Sequence, residues 1–355
     1  MPEILFWILG FFAIFGALDR IFGSRYGLGR EFENGILSMG SLMLAMAGIV
    51  TLAPILAAGL KPVVVPVFRV LGADPAMFAG SILACDMGGG ALAQELTADP
   101  RAAALGGVIT GSMLGATVVF TIPVALGILE EEDRPALARG ILCGVVTIPV
   151  GILTAGLTAG YPLGMILRNL IPIILIAGLI ALGLWKAENA MVRGFTLFGQ
   201  FVVVLSGFGL AAGIFSSLTG LQVLPGMADI SVGIHTVGAI AVVLAGAFPM
   251  VYVLTRALQK PLKLLGKTMG ISEKAAAGLI ATLANSIATF SMVKDMNQRG
   301  KVMNIAFAVS AAFTFGDHLG FAAGFAPEIL VPMLLGKLTG GVSALVLAML
   351  ITKKD

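Results

Sequence analysis

Residues 102–129 contain no charged side chain. As α-helix the run would measure about 42 Å, more than the ~30 Å hydrocarbon core of a bilayer. A soluble domain has no use for such a segment, and ten more apolar segments accompany it. They fall at about 3–22, 36–60, 76–96, 136–160 and 166–186, then 196–220, 233–256, 273–293, 302–327 and 328–351. The runs are too long for barrel strands and do not alternate, so the expected fold is an all-α polytopic membrane protein. Charged residues make up 12% of the chain, half of the roughly 25% usual in soluble domains. The net charge of +3 is no nucleic-acid footprint and is better read loop by loop. The first run lacks a basic leader and is too long for a signal peptide, so it reads as the first transmembrane helix.

The segments form two series that match in order and length. At an offset of 198 residues Gly35 meets Gly233, Gly48 meets Gly246, Gly72 meets Gly270 and Gly80 meets Gly278. Near the end the offset is 197, and Pro135 meets Pro332. Short basic connectors, KPVVVPVFRVLG and QKPLKLLGKTMG, precede the third segment of each series. The expectation is a first transmembrane repeat over 1–165, a linker helix and loop over 166–195, and a second repeat over 196–355.

The third segments are anomalous. In AGSILACDMGGGALAQEL, residues 79–96, Asp86 lies mid-run and is followed by Met87, Gly88, Gly89 and Gly90. A carboxylate at the centre of a membrane helix costs about 2.5–3.5 kcal/mol on insertion scales, and each Gly costs about 1 kcal/mol against Ala. A broken helix turning its bare backbone and carboxylate to a cavity accounts for both. The matching stretch of the second series has Asn285 and Ser286 at the same place, allowing one gap.

Basic residues bear on whether these segments span. If all eleven cross, the two sides carry 10 and 12 of the 22 Lys and Arg, which gives no orientation. If segments 76–97 and 273–294 enter and leave on one side, 17 lie on one face, leaving Lys61, Arg69, Arg101, Arg168 and Lys337 on the other. The second arrangement puts four spanning helices and one re-entrant hairpin in each repeat. The repeats are then inverted, with the C-terminus cytoplasmic and the N-terminus outside. Hairpin arms of about 10 residues reach ~15 Å, so the tips meet near mid-membrane. Inverted repeats with broken helices at midplane mark secondary transporters.

Asp317 and His318, in FGDHLG, are the other charged element within an apolar run. Adjacent on a helix, they point about 100° apart and cannot both face lipid cheaply. Asp86, Asn285, Ser286, Asp317 and His318 are therefore the candidate substrate-binding residues, with the backbone of 87–90 forming the hairpin tip. Each has a plainer reading: Asp86 as a cap for free N–H groups, Asp317 and His318 as an internal pair holding helices together, and Asn285 and Ser286 as interhelical hydrogen bonds. Trp7 and Trp185 fall where interface anchors belong. The run 130–133, Glu-Glu-Glu-Asp, reads as a solvated loop, and Gln94 and Glu95 as water-facing. Cys85 and Cys143 lie inside apolar runs and imply neither a disulfide nor a cysteine metal site. No nucleotide loop or HExxH motif occurs, so no cofactor or metal is expected.

The strings FAGSILACDMGGGALAQEL, VTIPVGIL, IATLANSIATF and FTFGDHLGF together resemble the ethanolamine-utilisation transporter family, EutH. The resemblance runs through nearly the whole chain and is densest over 35–150 and 270–342. It implies a multi-pass protein of the bacterial cytoplasmic membrane that brings ethanolamine into the cell, and it supplies no site list. A small protonated amino alcohol needs a carboxylate, which Asp86 or Asp317 offers. It also needs a partner for its hydroxyl, which Asn285, Ser286 or His318 offers. At 7% aromatic residues, a choline-type aromatic cage is not expected. Facilitated uptake by alternating access is the leading expectation, and a cation- or proton-coupled symporter its close rival. An intramembrane aspartyl enzyme is disfavoured because a GxGD site wants Gly where Thr314 stands, and Tyr where Cys85 stands. Membrane lipid and a small amine are the expected partners, and the sequence leaves homo-oligomerisation open.

Overall fold

The computed structural model describes residues 2–353, apart from the side chains of 2, 188, 258–260, 262, 263, 265 and 267. The charges of Lys260, Lys263, Lys267 and Lys354, counted above, lie outside that description. Every element among the described residues is helical. Among the described residues, eight helices are long and apolar enough to cross a membrane: Glu3–Ile21, Leu28–Val70, Pro100–Ile128, Glu131–Thr158, Leu163–Lys186, Asn189–Thr219, Ile230–Ala257 and Pro327–Ile351. Large apolar side chains such as Phe201, Phe208 and Leu218 stay exposed on their outer faces, as lipid contact requires. Trp7 and Trp185 are likewise exposed.

Helix α1 (Pro2–Ile21) packs on α2 (Leu28–Leu42), which runs through a π-wound turn at Met43–Ala47 into α3 (Gly48–Val70). The first anomalous segment is two short helices, α4 (Ala76–Ile82) and α5 (Gly89–Leu96), packed on each other. Next come α6 (Pro100–Ala103), π-wound stretches at Ala104–Gly115 and Thr117–Thr121, and α7 (Ile122–Ile128). Helices α8 (Arg134–Thr158), α9 (Leu163–Lys186) and α10 (Glu188–Thr219) lead to the 40-residue α11 (Ile230–Met269). The second anomalous segment is α12 (Glu273–Ala284) and α13 (Ser286–Met292), again packed together. Helices α14 (Gln298–Ala311), α15 (Asp317–Phe325) and α16 (Leu330–Ile351) complete the fold.

Both broken segments return to where they start. Thr97 Oγ1 donates to the Asp74 carboxylate at 2.8 Å, joining the two ends of the first. Asn297 Oδ1 accepts from Ser272 N at 3.0 Å, and its Nδ2 donates to the Gly270 carbonyl at 3.1 Å, joining the ends of the second.

Four expectations need correction. The segments do not end at 60 and 256: α3 runs on through KPVVVPVFRV and α11 through QKPLKLLGKTM despite Pro54, Pro62, Pro66, Pro249 and Pro261. Each stops just short of a left-handed glycine, Gly72 (φ 68°) or Gly270 (φ 71°), which only Gly adopts without strain.

The segment 302–327 is not one helix. It breaks at 312–316, where Phe313 takes a left-handed φ of 59°. The amide N–H groups that the break frees are met by α12: Phe313 N donates to Thr282 O at 3.1 Å and Phe315 N to Leu283 O at 2.8 Å.

Asp133 is no solvated loop residue. It is buried and paired with Lys301, itself nearly buried.

Lys337, counted above on one membrane face, is fully buried in the middle of α16. There α16 lies tight against α8, and a methyl on Gly336 would strike the Gly151 carbonyl. The opposing face of the charge count thus keeps only Lys61, Arg69, Arg101 and Arg168.

Candidate functional site

The first break is built by its glycines. Leu83 and Ala84 are extended, Cys85–Met87 makes one 3₁₀ turn, and Gly88 is left-handed at φ 92°. Met87 N and Gly89 N both donate to the Ala84 carbonyl, at 3.0 and 2.9 Å. A methyl on Gly88 would strike Ile49, and one on Gly90 would meet Phe321 Cζ at 2.7 Å. The run of glycines therefore lets the chain turn and lets α15 close onto α5. Phe321 and Phe325 stack at 4.7 Å between ring centroids on that side.

The turn delivers Asp86 to a cavity of about 180 Å³, whose wall also includes Ser41, Ala45, Met87, Phe120, Phe313, Asp317 and His318. Asp86 Oδ1 lies 3.7 Å from His318 Nε2. His318 Nδ1 lies 3.0 Å from Lys337 Nζ, which also donates to the Ser112 carbonyl at 2.6 Å. Four elements, the Cys85–Met87 turn, the π stretch at Ala104–Gly115, α15 and α16, thus converge in one polar row, Asp86–His318–Lys337–Ser112. Departures from ordinary helix adjoin the cavity on several sides. The π turn at Met43–Ala47 carries Ala45, the gap between the two π stretches carries Ala116, and the 312–316 break carries Phe313. Such irregularities recur at functional sites because they re-aim side chains that regular winding would bury.

Asp86, Met87, Asp317 and His318 line this one cavity. Gly88, Gly89 and Gly90 form the turn behind them and do not line the cavity. Asn285 and Ser286 do not line it either. Asn285 caps α13, its Oδ1 accepting from Ile287 N at 2.8 Å, and its side chain is exposed. Ser286 is buried and its hydroxyl has no hydrogen-bond partner in the protein. The second break acts on the site indirectly, through the Thr282 and Leu283 carbonyls that hold the turn before Asp317. The low aromatic content conceals a local concentration: Phe120 and Phe313 meet edge to face at 5.3 Å on the cavity wall, and the His318 ring lies 5.3 Å from Phe313.

Sequence reasoning missed Lys337. The rule that singled out Asp86, a charge in the middle of an apolar run, applies equally to LVPMLLGKLTGG. The Cys85, Asp86 and His318 ligand atoms lie within 4.8 Å of one another, a spacing a metal ion could use. A dication there would sit one histidine ring away from the Lys337 ammonium. Two carboxylates against one ammonium leave one negative formal charge, which suits a monocation better. Asp86 and Asp317 line the same cavity, and no hydrogen bond joins them among the described residues.

The helices and this ionisable cavity define a multi-pass membrane protein with a polar site between broken helices. The chain belongs to the ethanolamine utilisation protein family, EutH, whose model matches residues 1–351. It is 57% identical over 342 residues to a "Probable ethanolamine permease EutH" of Listeria monocytogenes, covering 96% of this chain and 92% of that one. It is 46% identical over 391 aligned positions to the protein of the same name in Salmonella typhimurium, covering 99% and 96%. An "Uncharacterized protein YxeR" of Bacillus subtilis is 49% identical, covering 96% and 92%. No solved structure matches the chain.

Proposed function

We propose that this protein carries ethanolamine across the bacterial cytoplasmic membrane by alternating access, with the Asp86–Asp317–His318 cavity as its binding site. The observation that carries the reading is the cavity itself. It is small, set between helix breaks, and lined by two carboxylates and an imidazole, in a chain whose relatives include proteins named as probable ethanolamine permeases. A protonated amino alcohol offers one cation and one hydroxyl, and the cavity offers complements to both.

The transport scaffold in this proposal is a pair of inverted repeats, 1–165 and 196–355, joined by the linker at 166–195. Reciprocal contacts support it. A methyl on Gly35 would strike the backbone of Leu244 and Ala245, and one on Gly233 would meet Ala47. Since 35 corresponds to 233 and 47 to 245, each contact is the other's image, as a two-fold axis requires. Gly80 lies against Gly106 and Gly278 against Asn304, again at equivalent positions. The tied ends of both broken segments favour re-entrant hairpins, entering from opposite sides under this symmetry. Counting α14 and α15 as one crossing gives nine spans, with the C-terminus cytoplasmic. The unpartnered Ser286 hydroxyl and the neighbouring Asn285 are proposed to meet substrate in another state of the cycle.

Transport is read as facilitated uptake. Purified protein in proteoliposomes, assayed for labelled ethanolamine counterflow, tests it with wild type, Asp86→Asn and Asp317→Asn. Wild type is expected to exchange label and both variants to lose most of it. Absence of exchange by folded wild type overturns the reading. Uphill accumulation on an imposed Na⁺ or proton gradient would replace facilitation by symport.

A further inference from the structure

The proton on the His318 ring decides what the cavity can hold. Lys337 Nζ contacts the Ser112 carbonyl at 2.6 Å and His318 Nδ1 at 3.0 Å. With Lys337 protonated, its ammonium has three donors and no acceptor, so both partners accept. Nδ1 is then unprotonated, and the ring proton sits on Nε2, which faces Asp86 Oδ1 across 3.7 Å. That separation is too long for a hydrogen bond. A donor and a carboxylate thus confront each other on the cavity wall without meeting. Whatever bridges them must accept from Nε2–H and donate to the carboxylate. A hydroxyl does both, whereas a substrate ammonium cannot accept.

We infer that Lys337 is a positioning residue that fixes His318 in the Nε2–H form, and that His318 and Asp86 thereby form a clamp for the hydroxyl of an amino alcohol, leaving its ammonium to Asp317. The inference rests on the cavity being the substrate site. Asp317 follows from adjacency: it precedes His318, lines the same cavity and contributes the remaining negative charge. The other titratable group facing the clamp, the buried Cys85 thiol, is a weak donor and acceptor and competes poorly for either position. Lys337 never touches substrate in this scheme and acts through the histidine.

The chain has two histidines, so His235→Gln leaves His318 as the sole one. His235 is exposed and remote in sequence from every cavity residue. The ¹⁵N spectrum of histidine-labelled His235→Gln protein is expected to show a protonated Nε2 and a bare Nδ1. A proton on Nδ1 overturns the inference. Adding Lys337→Met is expected to give a mixture of tautomers, and an unchanged spectrum would remove Lys337 from the role. Should that variant fail to fold, the single-histidine spectrum and a ligand series decide the matter. Ethylamine, which keeps the ammonium and lacks the hydroxyl, is expected to compete with labelled ethanolamine at least about tenfold less well. 2-Methoxyethylamine, whose oxygen accepts but cannot donate, is expected to be weakened too. Equal competition by ethylamine overturns the clamp. If ethanolamine itself does not bind, the transport reading falls, while the spectrum still decides the tautomer.

Discussion

Thr97 donates its hydroxyl to the Asp74 carboxylate at 2.8 Å, so the first broken segment ends where it began. Asp74 also accepts from Ala76 N at 2.8 Å and thereby starts α4, while its own N–H donates to buried Asn169 at 2.7 Å. One side chain thus opens the hairpin, closes it, and sits on an amide that fastens it to α9.

This clasp predicts where water-soluble reagents reach. Single cysteines replacing Lys61 and Arg101 should be labelled from the same side of sealed vesicles, and one replacing Lys294 from the other. Labelling of positions 61 and 101 from opposite sides would sink the hairpin. Thr97→Val, which removes one partly buried hydrogen bond, should cost about 1 kcal/mol in thermal unfolding.

Substrate affinity should depend on the two carboxylates unequally. With the ammonium at Asp317, Asp317→Asn should weaken ethanolamine binding by about 2 kcal/mol or more, roughly thirtyfold. Asp86→Asn should weaken it less and should erase much of the preference over ethylamine. Calorimetric titration of both variants checks this, and equal losses with discrimination intact would reverse the assignment of the two ends.

Gly88→Ala should be among the most damaging small substitutions. The residue sits at φ 92°, and a methyl there enters the Ile49 side chain. The left-handed conformation alone costs a non-glycine residue about 1–2 kcal/mol, and crowding adds to it. A lowered melting temperature together with lost binding is expected, since the same turn carries Asp86.

Far from the cavity, the Asp133–Lys301 pair offers a test of packing against charge. Asp133→Asn leaves the nearly buried Lys301 ammonium without its partner and should cost about 3–5 kcal/mol. Replacing both by apolar residues, Asp133→Leu with Lys301→Met, should recover most of that loss. Denaturation of the three proteins checks the order, and a double variant no better than the single would refute it.

What could be read from the sequence follows from cost. Asp86 with its glycines, and Asp317 with His318, announce themselves because a bilayer makes them expensive wherever they fall. Lys337 is as expensive, yet counting basic residues by loop assigned it to water, since a count cannot see depth. The break at 312–316 carries no proline. It is held by Thr282 and Leu283, thirty residues upstream in the chain, and no local pattern records such support. The charges of the two connectors misled in the opposite sense, ending the apolar runs at 60 and 256 where the helices continue to Val70 and Met269. The pairing of Asp133 with Lys301 was out of reach because it joins residues 168 positions apart.

Under the proposed transport cycle, Lys337 also bears on how membrane voltage would enter it. With both aspartates ionised, the lysine protonated and the histidine neutral, the empty site carries one net negative charge, and an aminium ligand cancels it. Under the alternating-access proposal the loaded carrier then turns over electrically silent, and the field acts on the empty one. An interior-negative potential of 100 mV acts on a full charge with about 2.3 kcal/mol. It would push the vacant site outward, toward the face where ethanolamine is captured. Removing the lysine would raise the moving charge to two, so the resident ammonium sets how strongly voltage drives the return.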